Sequence, residues 1–264
     1  MHDPTRIPRV LDRLRDTWEG QPDLSLATLF GILANRGAGW GTTDAELEQL
    51  LIDESTSHPS DLPLTDHGRC TGDFLVETTS PDHRVTLTAA GDAVVRSMGD
   101  RDRQPSVWTY QSVRPTGPGR MLVARDDEGI EHRLGVVTLI SRVVRDSTAE
   151  VAVAEAAVAE AAVAEATVAE AVVDKVAVDS AVINEIRRSE IGNAVWLLIL
   201  EDQSRILLTH RLHMWQVDGR SVNKTTHAWE QVVRCRVGEN FAYVTAGGER
   251  VVLGVVDKLL LLES

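Results

Sequence analysis

Aromatic side chains are scarce in this chain: three Phe, two Tyr and six Trp amount to 4% of 264 residues. Its cores must therefore be aliphatic, built from Leu, Val and Ile around a few large anchors. Cysteine is nearly absent as well. Cys70 and Cys235 lie far apart and form no CxxC pair, which argues against a disulfide framework and for free thiols in a reducing compartment. No apolar run approaches the roughly 18–20 residues of a membrane span. The opening MHDPTRIPRVLDRLRD also lacks the apolar stretch of a secretory signal. The expectation is a cytoplasmic protein with no transmembrane segment.

Positive charge is in deficit, with 27 Lys and Arg against 40 Asp and Glu. The imbalance is local. From Ile191 to Ser264 eight basic residues face eight acidic ones, so the whole net charge of −13 lies before that point. Such an acidic part repels a polyanion, which makes nucleic acid an unlikely partner.

The motifs that announce common chemistry are missing too. GxSxG, HExxH, GxGxxG and the P-loop are all absent. RGAGWG is glycine-rich, but it sits between two helical segments and reads as a loop. His58, His67 and Cys70, with Asp66 beside them, could offer N, S and O ligands from one loop, yet no further ligand follows at finger-like spacing. His210 and His213 are three apart and fall on opposite faces of a strand. The reading therefore names no catalytic residue, no cofactor and no metal. An enzyme of unfamiliar type would need a polar pocket gathering His83, Asp127, His132 and Arg133.

What is present divides the chain into modules and predicts an α+β protein. Residues 1–54 read as a three-helix unit. Ile7, Val10, Leu11, Leu14 and Trp18 make one helical stripe, and Leu26, Leu29, Phe30 and Leu33 make a second. A third helix opens with Thr43 and Glu46 at capping-box spacing. The third helix, DAELEQLLIDE, carries five acidic residues and no basic one, the wrong sign for reading DNA. A nucleic-acid-associated regulator, with the helices and first hairpin of residues 1–97 as a winged helix, is nonetheless one alternative. Residues 55–72, rich in Ser, Thr, Pro, Asp and Gly, read as a linker. Residues 73–147 read as a β-rich domain. FLVETT and RVTLT form a hairpin there, and AVVRS extends the sheet or turns helical.

Residues 148–188 carry a five-residue repeat in which Val153, Val158, Val163, Val168, Val173, Val178 and Ile183 recur at strict intervals. In an α-helix a step of five turns roughly 140° about the axis, so no face collects the repeat. Ala and Glu nevertheless favour a helical rod. The small residue two places before each branched one resembles the pentapeptide-repeat family over residues 151–185, which would imply a coil of square β-helix. Val stands here where that family prefers Leu or Phe. A helical connector, a solenoid coil and a disordered spacer stay open, and all three make the segment a connector.

Residues 189–264 read as a second β-rich domain of about seven short strands. The stretches RILLTHRLHMW, HAWEQVVRCRV and FAYVTAGGERVVL resemble bacterial PH-like and GRAM-type domains. The resemblance implies a module that binds peptides, subunits or lipids, without catalysis. The end, VDKLLLLES, departs from it, being short for the closing helix of those domains. In WEQVVRCRV, alternation sets Val233, Cys235 and Val237 on one face and Arg234 and Arg236 on the other. Arg211, His213, Lys224, Arg234 and Arg236 are then a candidate partner-binding patch for an acidic protein, weighed against an ordinary solvated sheet face. The functional expectation is a non-enzymatic binding or scaffold protein. A protein partner is expected, and a homo-oligomer is open.

Overall fold

A computed structural model describes residues 4–100, 102–144, 182–218 and 221–264. The repeat from Val151 to Val178 lies outside the described residues, so neither helix nor coil is assigned to it. The chain divides into two compact units, Met1–Val143 and Val144–Ser264.

The first unit opens with three helices, α1 (Arg6–Glu19), α2 (Leu26–Asn35) and α3 (Asp44–Ser57). Local chemistry sets their starts. Ser25 Oγ accepts the Thr28 amide at 3.1 Å to begin α2. Thr43 and Glu46 form the predicted capping box at α3, Thr43 Oγ1 taking the Glu46 amide and Glu46 the Thr43 amide. α3 runs three residues beyond the expected end. Ser55, Thr56 and Ser57 belong to it because their hydroxyls donate back to the carbonyls of Ile52 and Asp53.

The acidity of α3, puzzling in the sequence, has a structural cause. Arg6 of α1 meets Asp44 at 2.5 Å and Arg9 meets Glu48 at 2.9 Å, so the acidic helix packs beside basic residues of its own unit. Beneath them Glu54 is buried, accepting from Gln21 Nε2 at 2.9 Å and pairing with Arg36 at 2.6 Å. One carboxylate of α3 thus joins Gln21, just after α1, and Arg36, the C-cap of α2. A buried charge is tolerable only with such partners.

After α3 the chain enters a closed six-stranded antiparallel barrel: β1 (Phe74–Thr79), β2 (His83–Leu87), β3 (Asp92–Ser97), β4 (Ser106–Val113), β5 (Met121–Asp126) and β6 (Glu131–Arg142). AVVRS is strand β3, and the β1–β2 hairpin is part of the barrel. Strand β6 pairs with both β5 and β1, which removes the edges. Phe74, Val76, Val85, Leu87, Leu122 and Ile140 fill the interior. The polar stretch between α3 and β1 is built into this core rather than spanning a gap. Leu62 and Cys70 are buried with it, and the Leu62 amide donates to the Thr116 carbonyl at 2.8 Å.

The second unit is one seven-stranded antiparallel sheet formed by β7 (Val195–Leu200), β8 (Arg205–Leu208), β9 (Leu212–Asp218), β10 (Ser221–His227), β11 (Trp229–Arg234), β12 (Asn240–Thr245) and β13 (Arg250–Glu263). The order is β10-β9-β8-β7-β13-β12-β11. Strand β13 joins the halves, its first residues pairing with β12 and its last with β7. VDKLLLLE is therefore strand, the place where a PH-like domain would carry a helix. Trp229 is fully buried in the core and its indole N–H donates to the Thr209 carbonyl at 2.8 Å.

The end of the predicted connector belongs to this sheet. Residues 182–188 run along β11: the Ile183 amide donates to the Cys235 carbonyl and the Arg188 amide to the Glu230 carbonyl, while the Val232 amide donates to the Ile186 carbonyl. Ile183, the last position of the repeat register, is buried in the core.

Candidate functional site

The alternation predicted for WEQVVRCRV is interrupted. Register shifts in β11 between Trp229 and Gln231 and between Val232 and Arg234 act as bulges. The buried residues are therefore Trp229, Val232 and Cys235, three apart, while Val237 is 42% exposed. Each bulge adds a residue and advances the phase of the strand. Arg234 and Arg236 still point outward, as expected, and Arg234 pairs with Glu239 at 3.5 Å.

The five predicted patch residues fall into two groups. Arg234 and Arg236 lie at the end of β11, at one extreme of the strand order. Arg211, His213 and Lys224 lie on or just before the β9–β10 hairpin at the other, and there the structure brings His213 and Lys224 round one aromatic residue. Residues directly opposite in an antiparallel pair share a face. Lys224 stands opposite Trp215, and Arg205 stands opposite Trp215 from the other side. The result is a row of cation, indole and cation across β8, β9 and β10. Lys224 Nζ lies 5.4 Å from the Trp215 ring centroid, within reach of a cation–π interaction.

His213, two residues before Trp215 and on the same face, has its ring 6.2 Å away and shares a hydrogen bond of 3.0 Å between Nδ1 and Thr226 Oγ1. Arg211 is placed by the turn before β9, where the Thr209 hydroxyl accepts its amide and donates to its carbonyl. Burial removes water from the Arg205 guanidinium and holds its pKa below the usual arginine value. Sequence reading missed Arg205 and Trp215. The period-two pattern places Trp215 with Arg211 and His213, but the cross-strand neighbour on β8 depends on register, which no local signal carries.

The first unit has one further polar cluster, at the β5–β6 turn. His132 Nε2 lies 2.7 Å from Asp126 Oδ2, and the Ile130 amide donates to Asp126 Oδ1 at 2.8 Å. The His132 hydrogen bond holds the Asp126 carboxyl below its ordinary pKa. The His132 ring packs on Trp108 with centroids 4.4 Å apart. Beside them Arg114 grips both oxygens of Glu131 at 2.7 and 2.8 Å, which lowers the pKa of that carboxyl. This arrangement closes a turn and orients an imidazole. It does not gather the residues suggested for an unfamiliar enzyme: His132 and Arg133 are consecutive on β6 and face opposite ways, Asp127 is exposed in the turn, and His83 lies on β2.

The loop residues weighed as metal ligands are also apart in role. His58 Nδ1 lies 3.3 Å from the Ile140 carbonyl, His67 is exposed, and Cys70 is buried with its amide on the Tyr110 hydroxyl. Burial pushes the Cys70 thiol up to about 11 and the Cys235 thiol up to about 12. Both are free and held as protonated thiols. Among the described residues no group of three His, Cys, Asp or Glu stands ready to hold a metal ion, and no helix is long and apolar enough to cross a membrane.

Compared with protein-family models, curated proteins and solved structures, the chain matches none at a significant level.

Proposed function

We propose that this chain is a non-enzymatic binding or scaffold protein whose β8–β10 face meets an acidic segment of a protein partner. The observation that carries the reading is the row Arg205–Trp215–Lys224, with His213 on the same face and Arg211 in the turn that leads into β9. Trp215 is itself buried at 2% exposure, so what the row would present to carboxylates is the cationic side chains ranged around the indole. A face of this sign, in a chain whose charge is otherwise acidic, also steers an acidic partner toward one place.

Charge reversal tests the reading. Full-length chain carrying Arg211→Glu and Lys224→Glu should retain its far-UV circular dichroism and lose, about tenfold or more, its affinity for the partner that wild-type chain captures from cell extract. Affinity that is the same in the double variant and independent of salt would place recognition elsewhere on the molecule.

A further inference from the structure

The outer edge of β11 is taken by a short segment held as an added peptide would be. Residues 182–186 read Val-Ile-Asn-Glu-Ile, and each position has its own contact. Val182 bridges to Arg236. Ile183 sinks into the core, and its amide donates to the Cys235 carbonyl at 3.1 Å. Asn184 Oδ1 accepts the Cys235 amide at 2.8 Å, so a side chain stands in for the carbonyl that a regular ladder would offer. Glu185 is exposed with φ of 60°, and its carbonyl accepts from Gln231 Nε2 at 3.3 Å. Ile186 packs against the core, and its carbonyl accepts the Val232 amide at 2.9 Å. The edge therefore reads two branched residues, an Asn or Asp oxygen, an exposed polar position and a third branched residue.

The same order of residue types stands ten positions earlier, where residues 172–176 read Val-Val-Asp-Lys-Val. We propose that the edge of β11 is a docking site with two ligands in one chain. Residues 172–176, which lie outside the described residues, take the place of residues 182–186 when the register slides by two repeat units. Valine fits each branched position, Asp174 offers the oxygen that Asn184 supplies, and Lys175 falls at the exposed position of Glu185. A slide of one unit is a poorer match, because it puts Ala177 and Ala181 at the first and last branched positions. The bound segment keeps the advantage over residues 172–176, since valine at the places of Ile183 and Ile186 fills less of the core. The Asp174 carboxylate accepts an amide more strongly than a carboxamide does, which offsets part of that loss. Lengthening the link to β7 by ten residues costs little. The slide shortens the stretch between the first unit and the docked segment by the same ten, so the register sets the length of that link.

Oxidative cross-linking of the full chain tests this. Gln231→Cys with Arg187→Cys reports the bound register, because Arg187 stands opposite Gln231. Gln231→Cys with Ala177→Cys reports the second register, and Gln231→Cys with Asp179→Cys is the control that fits neither. Cys70 and Cys235 are buried and stay in place. The link from 187 should dominate. The link from 177 should form several-fold faster than that from 179, rise several-fold further when Ile183→Val evens the two ligands, and fall when Val173→Ala weakens the second. Neither of these two substitutions empties the edge, so far-UV circular dichroism should stay unchanged. A link from 177 no faster than the control, one indifferent to both substitutions, or one formed only between two chains would overturn the proposal.

Discussion

Gly135 shows how one residue can set the shape of the barrel. It sits in β6 with φ of 107°, a conformation open to glycine and costly for other residues. A Cβ there would come within 2.8 Å of Pro81 O, Thr78 Oγ1 and Thr79 O, where β1 shifts register against β6 between Glu77 and Thr78. The missing side chain lets the backbones close at this irregular point. Gly135→Ala should lower the stability of the unit by about 3 kcal/mol, read as a shifted midpoint in urea. An unchanged midpoint would mean that the strands relax around the new methyl group. Sequence reading shows a glycine within an apolar strand but not why it is needed, because the atoms it would strike come from the β1–β2 hairpin more than fifty residues earlier.

At the scale of elements, local signals and long-range pairing divide the explanation. The capping box of α3, the cap of α2 and the turns between strands act over a few residues, and each is readable in the chain. Strand β11 is different. Its two bulges change the phase, so Val232 rather than Val233 enters the core, and the edge it presents is paired by residues 182–188. Those residues end a segment whose composition suggested a connector. Ile183 is their anchor, only 4% exposed. Ile183→Ala should cost about 2–4 kcal/mol and destabilise the second unit, with thermal unfolding as the readout. If stability stays at the wild-type value, the pairing beside β11 contributes nothing to the sheet. The five patch residues divide for a related reason: β10 and β11 adjoin in sequence yet are the two ends of the strand order, so Lys224 and Arg234 share no ladder.

For the whole molecule, the two units account for the uneven chemistry of the chain. The first has three helices tied by Glu54 and a barrel with a core of its own, so a chain ending at Val143 should fold independently. Its circular dichroism should show both helix and strand, and it should melt cooperatively. A broad, uncooperative melt would show that the barrel depends on the rest of the chain. Composition, helix periodicity, capping residues and the alternation of short strands determined the α+β class, the three helices and the positions of most strands, because each acts between residues close in sequence. Tertiary structure decided that six strands close into a barrel and seven form one sheet, that β13 joins its halves, and that Arg205, Trp215 and Lys224 form one row. Those outcomes depend on register and closure between residues far apart in the chain, where small differences in burial and hydrogen bonding select one pairing among many that the local pattern permits.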